Sequence, residues 1–354
     1  MSADVHGDRW ARGARADHAV NVASGGPPDW LRALLRAELD RALSTYPDEA
    51  AATGAVAHRH GRAREEVVLL NGAAHGFALL AETLQAARPV VIHPQFTDPD
   101  RALAAAGRPA EAVVLPEPWH LDPAAVPAGA DLVIVGNPTN PTGVLHPAAA
   151  IEALLRPGRT VVVDEAFMDF VAEGDQATTS LAGAQDRDGL VVVRSLTKIL
   201  SVPGLRVGYL LAPPALAARL RARRAAWPVN GLALAAARAA SLHPGRLVPI
   251  AARAGRDRRA LEEALGSALP QARVHPGAAG FVLVELEGGD ALAAALRERH
   301  GIAVRPAATF PGLGPRHLRL TARGGAADGR LVAALGAEHA RRRGATAGAT
   351  APRH

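Results

Sequence analysis

The sequence predicts an α/β protein: a large domain with a mostly parallel seven-stranded sheet sandwiched by helices, plus a smaller α+β C-terminal domain. Three observations carry this reading. Short, β-branched apolar runs alternate with longer alanine- and leucine-rich helical stretches between residues 67 and 226, the pattern of successive βα units. Gly129, Gly158 and Gly189 punctuate the joins. The length, 354 residues, exceeds what one hydrophobic core ordinarily serves.

Along the chain, residues 1–28 read as an extended arm, because the Gly-Gly-Pro-Pro run at 25–28 fits neither a helix interior nor a central strand. Residues 29–228 form the large domain. Its expected strands are Val67–Leu70, Val90–His93, Ala112–Leu115, Leu132–Val135, Thr160–Val163, Leu190–Val193 and Arg206–Leu211. Helical spacing falls at Gly76–Ala86, Asp98–Ala106, Pro147–Leu155 and Pro214–Ala226. From 229 to 341 a long alanine–arginine helix to about Leu269 leads into the small domain, with segments at Gly280–Glu285, Ala291–Arg299, Ala303–Arg305, His317–Thr321 and Asp328–Arg341. Residues 342–354, rich in Ala, Gly, Thr and Arg, read as a disordered tail.

Composition removes several classes of function. Zero cysteines exclude disulfides, thiolate metal sites and cysteine nucleophiles. Charged residues interrupt every apolar run short of a bilayer span, and no apolar h-region follows the charged start, so a cytoplasmic protein without membrane attachment is expected. The net charge of +6 does not signal nucleic acid: 39 of 40 basic residues are arginine, spread along the chain, and only 3% of residues are aromatic. The one dense cluster, Arg219, Arg221, Arg223 and Arg224, reads as a solvated helix face. No metal site is expected, since the HRH run at 58–60 has no ligand spacing and HExxH is absent; the remaining histidines read as surface or cap residues.

The single lysine, Lys198, is the most informative residue. A chain that uses arginine for its positive charge has little structural reason to keep one ammonium, whereas imine chemistry needs an amine that can lose its proton. Three more motifs follow expected strands, where open α/β sheets bind ligands. In LLNGAAHGF, Ala73 and Ala74 open a helix whose free N–H groups suit a phosphate, although a plain strand-to-helix turn explains them equally well. GNPTNPTG presents Asn140 at the sheet's carboxyl edge. TVVVDEAF ends a doubly buried strand on Asp164, a carboxylate that needs a partner. Ser195 and Arg206, three before and eight after the lysine, are suited to a phosphate. An imine-forming lysine, a buried carboxylate, an orienting asparagine and a divided phosphate cup are what pyridoxal 5'-phosphate requires.

In order and spacing, NPTNPTG, DEAF and SLTK followed by an arginine eight positions on resemble the fold-type I pyridoxal-phosphate enzymes of the class I/II aminotransferase superfamily, over residues 6–321. The branch holding histidinol-phosphate aminotransferase and threonine-phosphate decarboxylase of cobalamin synthesis is the most similar. The resemblance implies Lys198 as imine-forming lysine and proton carrier, Asp164 as partner of the pyridinium, Asn140 as donor to the ring hydroxyl, and Ala73, Ala74, Ser195 and Arg206 as phosphate ligands. It implies that Phe96 stacks on the ring, the competing reading being an ordinary core phenylalanine. Tyr46 matches the tyrosine that reaches the cofactor phosphate of a neighbouring subunit, which implies a homodimer. Tyr209, the other tyrosine, reads as core.

For substrate, the resemblance implies Arg319 as carboxylate-binding arginine, with Arg305 beside it, two cations at strand ends facing one pocket and suited to a phosphorylated amino acid. His6 and Asn21 would belong to an arm closing over the site. Phe167 stands where related aminotransferases carry a tyrosine hydroxyl, and together with SLTK, PGLR and the N-terminal HG it tilts the resemblance toward the decarboxylase, acting through an imine with the substrate amine. The alternative is a histidinol-phosphate-type aminotransferase passing the amino group to 2-oxoglutarate. A DNA-binding regulator on such a fold would need an added module ahead of residue 29, and a cofactor-free relative would have no use for Lys198, Asp164 and Asn140 together.

Overall fold

A computed structural model of the chain describes residues 7–349, with side chains through Arg342. The seven expected strands form one sheet in the order Val67–Asn71, Val207–Leu211, Leu190–Ser195, Thr160–Asp164, Leu132–Gly136, Pro89–His93, Glu111–Val114. All run parallel except Val207–Leu211, which is antiparallel to both neighbours. The strands read as unbroken apolar runs because both faces are covered. Val67, Leu69, Val133 and Val135 enter one core, whereas Val68, Leu70, Leu132 and Ile134 alternate into the other.

Helices Ala73–Leu84, Asp98–Ala105 and Pro214–Arg223 cover the second core through Phe77, Leu80, Leu103 and Leu220. The first core is covered partly by two helices the sequence pattern does not reveal, Asp29–Ser44 and Ala50–His60. Each offers few fully buried apolar positions, Leu31 in one and Val56 among alanines in the other.

A four-stranded antiparallel sheet, ordered Arg305–Pro306, His317–Thr321, Phe281–Glu285, Arg273–His275, makes a third core with helices Val248–Ala268, Gly289–Ala295 and Gly325–Ala349. Four expectations are corrected. The long alanine–arginine helix is two, Gly231–Leu242 and Val248–Ala268, separated by a turn at Pro244–Arg246, since proline cannot continue a helix. The arm contains a short helix, Gly7–Ala11. The last helix continues to Ala349 rather than ending near 341, and residues 350–354 lie outside those described. The arginine cluster is a solvated face only in part: Arg219 and Arg223 are exposed, Arg219 donating to the Thr83 carbonyl, whereas Arg221 and Arg224 are half-buried and donate to the carbonyls of Glu65 and Leu69, and Arg224 also forks onto Glu49. Among the described residues, no helix is long and apolar enough to cross a membrane.

The arm is stitched across both sheets. Ala16–Asp17 pairs in parallel with Ile302–Ala303, the backbone of His18 bridges Ala303 and Thr321, and Arg323 donates to the carbonyls of Asp17, Val20 and Val22. His18, His93, His146 and His275 are buried rather than on the surface, each engaged through a ring nitrogen.

Beneath the sheet's carboxyl edge lies a buried ionic network. Arg194 donates to Glu165 at 2.7 Å and to Asp169 at 2.5 Å, and Arg59 also grips Asp169. Burial alone raises the Asp169 carboxyl, but Arg194 and Arg59 reverse this and lower it to about 2. Arg194 directly precedes Ser195, and Glu165 follows Asp164, so the network ties the two strand ends that carry the candidate site. Removing one partner of a buried pair leaves an uncompensated charge. Arg194→Met is therefore expected to cost about 3–5 kcal/mol, read as a lower urea midpoint with unchanged slope; an unchanged midpoint would refute the network's role.

Candidate active site

The carboxyl ends of the parallel strands converge with the arm and the small sheet on a cavity of about 410 Å³. Lys198 reaches it from the one-turn helix Leu196–Ile199, which begins where Leu190–Ser195 ends. Thr197 fixes that turn: its hydroxyl donates to the Val207 carbonyl and accepts from the Val207 N–H. The lysine's own carbonyl accepts from Ala23 of the arm, and its Nζ donates to Asn21 Oδ1 at 2.8 Å, with the Phe167 ring centroid 5.9 Å away. Burial, then the positive charges of Arg319 and Arg206, lower the ammonium from its ordinary range to about 8.

Asp164 is the last residue of its strand and lines the same cavity. Its Oδ1 accepts from the Ala166 N–H at 3.0 Å. Burial raises its carboxyl to about 6, against the lowering effect of that N–H and of Lys198. The carboxylate therefore gains most from a cation facing it. The two asparagines of GNPTNPTG divide the work. Asn137 is structural, accepting the His146 N–H and donating to the carbonyls of His146 and Thr179. Asn140 faces the cavity, its Oδ1 held by Arg319 at 2.6 Å, so that its amide N–H₂ is the group left to donate.

The LLNGAAHGF turn brings an arginine to the N-terminus of a helix. Gly72 has φ 76°, and a Cβ there would lie 2.6 Å from the Arg206 guanidinium, so glycine allows Arg206 to lie against the turn that opens helix Ala73–Leu84. Gly208 is equally constrained: its Cβ would meet the Ala73 nitrogen at 3.1 Å and the Arg194 carbonyl at 2.8 Å. Ala73, Ala74, Ser195 and Arg206 all line the cavity beside free helix N–H groups. Phe96 lines it too, on a loop anchored where Gln95 donates to the Ile134 carbonyl.

Arg305 and Arg319 face each other as cross-strand partners, and both are buried. Arg319 sits mid-strand, not at a strand end as expected, and reaches the cavity by lying over Phe281. It donates to Asn140 and to the Ala19 carbonyl, while Arg305 donates to Pro306 and Thr309. Neither has a carboxylate partner among the described residues, and burial, together with nearby guanidinium groups, lowers them to about 9 and about 10. The pocket wall thus carries two buried guanidinium groups.

Of the remaining sequence candidates, Asn21 lines the cavity, His6 lies outside the described residues, and Tyr46 is remote from its own chain's cavity, 76% exposed and stacked on Trp227 at 4.2 Å. Tyr209 is core, its hydroxyl 2.8 Å from His60 Nε2. The sequence reading missed Asp98, a cavity carboxylate whose charge favours the protonated forms of both Lys198 and Asp164. Its signal was its place at the start of a helix directly after the Phe96 loop.

Comparison with known proteins agrees with this geometry. The sequence profile of the aminotransferase class I and II family matches residues 18–335. The chain is 47% identical over 326 residues, 91% of its length and 87% of the relative's, to a histidinol-phosphate aminotransferase of Mycobacterium bovis. It is 30% identical to the threonine-phosphate decarboxylase of Salmonella typhimurium, covering 90% of each chain. The crystal structure of the L-threonine-O-3-phosphate decarboxylase from Porphyromonas gingivalis superposes with a TM-score of 0.80 at 27% identity, over 89% of this chain and 97% of that one. The lysine, carboxylate, asparagine and helix N-terminus thus sit around one cavity of this family's fold, and the chain belongs to the class I and II aminotransferases, enzymes dependent on pyridoxal 5'-phosphate.

Proposed function

We propose that the enzyme decarboxylates an O-phospho-amino acid. The observation that carries the substrate class is the pair Arg305 and Arg319, buried in the wall of one cavity and, among the described residues, without a carboxylate at ion-pair distance. Two desolvated guanidinium groups call for two anionic groups, a carboxylate and a phosphate. Loss of the carboxylate is favoured by the DEAF motif with Phe167 in place of a hydroxyl-bearing residue, and by the arm at Gly7, both similar to the decarboxylase of this branch. The 47% identity to a histidinol-phosphate aminotransferase supports transamination as the second reading.

The residues fit the cofactor. The N–H groups of Ala73 and Ala74, Ser195 and Arg206 would hold its phosphate, Asp164 its ring nitrogen, the Asn140 amide its ring hydroxyl, and Phe96 its face. When bound, pyridoxal phosphate supplies an electron sink conjugated to the substrate nitrogen. Asp164, anchored by the Ala166 N–H, keeps that sink cationic. Arg319 and Arg305 orient the substrate, and orientation selects the reaction, because only a bond perpendicular to the conjugated plane is weakened. Lys198 Nζ is the proton carrier at Cα, and Asn21 and Thr197 position it. The arm forms part of the cavity wall through Ala19 and Val20.

Tyr46 serves a second copy of the chain in this reading. With Leu43 and Trp227 it exposes an apolar aromatic patch on a single chain, the kind of surface that marks an interface.

Three outcomes follow. Threonine phosphate should release carbon dioxide, and histidinol phosphate with 2-oxoglutarate should yield little glutamate; the reverse pattern would establish the second reading, and activity toward neither would remove both. Only the neutral amine attacks a carbonyl, so uptake of pyridoxal phosphate by the apoenzyme should quicken about tenfold per pH unit below 8 and level off above it; a flat profile would contradict the lysine's environment. Tyr46→Phe should weaken cofactor retention about tenfold, the lower range for a hydrogen bond to a charged group, in a chain that sediments as a dimer; a monomer with unaltered retention would exclude the shared site.

A further inference from the structure

Outside the active site, three potential ligands meet on the small sheet. Glu285 is the cross-strand partner of His317, and His275 is that of Leu283, two residues before Glu285. Directly paired residues face the same side, as do residues two apart, so His275, Glu285 and His317 share one face. One ligand atom from each lies within 4.8 Å of the others. None of the three lines the active-site cavity.

A second observation concerns His275 alone. The residue is 7% exposed, and its Nε2 is buried without a hydrogen-bond partner. Its other nitrogen, Nδ1, lies 3.3 Å from the Glu117 carboxylate. A carboxylate holding one ring nitrogen while the other is free is how metal-binding histidines are oriented. Trp119, itself buried, packs over both rings, with centroids 4.8 Å from His275 and 6.4 Å from His317.

We propose that His275, Glu285 and His317 bind a zinc ion, with Glu117 orienting His275 and water completing the coordination. Two imidazoles and a carboxylate are a donor set that suits zinc, whereas calcium and magnesium favour oxygen ligands over imidazole nitrogen. The costs are small. Arg316 must leave Glu285, where it lies at 3.2 Å, but its side chain is 62% exposed and such a pair contributes little. His317 must give up the 3.2 Å hydrogen bond its Nδ1 accepts from the Gly314 N–H, whichever nitrogen ligates, because metallation at Nε2 moves the proton to Nδ1. The ion's role is structural. Glu117 follows the edge strand Glu111–Val114 of the large sheet, whereas the ligands belong to the small sheet, so the site clasps one to the other. The sequence gives no metal signal because only strand register brings these positions together.

The test is calorimetric titration of zinc chloride into holoenzyme freed of metal by EDTA, with the visible absorbance of bound cofactor as the check that each variant is folded. One zinc per chain is expected, with a rise in the unfolding temperature. His275→Gln and His317→Gln should each abolish both effects, Glu117→Gln should weaken binding by about 10- to 100-fold, and the exposed His58→Gln should change nothing. Should His275→Gln fail to fold, the half-buried His317 carries the test. Absence of stoichiometric binding, or binding that survives the histidine substitutions, would overturn the proposal.

Discussion

The site rests on one electrostatic constraint: a lone, half-buried primary amine flanked by guanidinium groups. Lys198 is desolvated, and Arg319 and Arg206 both oppose its charge, so that it is deprotonated far more readily than a surface lysine. In a chain that otherwise uses arginine for positive charge, the lysine is the one amine side chain, and so the one cation that such a field can turn into a nitrogen nucleophile. Each surrounding element serves to hold that arrangement. The antiparallel strand Val207–Leu211 fixes the lysine's turn through Thr197, the arm covers it through Asn21 and Ala23, and the Arg194 network locks the two strand ends below.

The same economy explains why guanidinium groups fill such different roles here. Arg194 is a neutralised strut between two buried carboxylates; Arg319 and Arg305 have no carboxylate partner among the described residues and are the cations proposed to meet the substrate's anions; Arg323 threads the arm by donating to three carbonyls. What separates the strut from the proposed binding pair is the presence of an acidic neighbour, which fold topology supplies.

That difference also sets what the sequence could reveal. The sheet was legible almost strand for strand, since burial on both faces demands unbroken apolar runs and the order of βα units follows. Lys198, Asp164, Asn140 and the Ala73 turn were legible because each lies immediately after such a run, and the structure brings them around one cavity. Helices Asp29–Ser44 and Ala50–His60 were not, as each rests on the core through few large apolar side chains. The break at Pro244 does carry a local mark, the Pro244-Gly245 step, but alanine- and arginine-rich helical spacing resumes on both sides of it and masks the interruption. The register that pairs Arg305 with Arg319, and His317 with Glu285, leaves no local trace at all.

The most direct test is borohydride reduction of the holoenzyme followed by peptide mapping. With a single lysine in the chain, the account predicts one stable adduct, on the peptide containing Lys198, and none after Lys198→Ala. A reduced protein carrying no label on that peptide, or a lysine-free variant that is still labelled to the same extent, would contradict it.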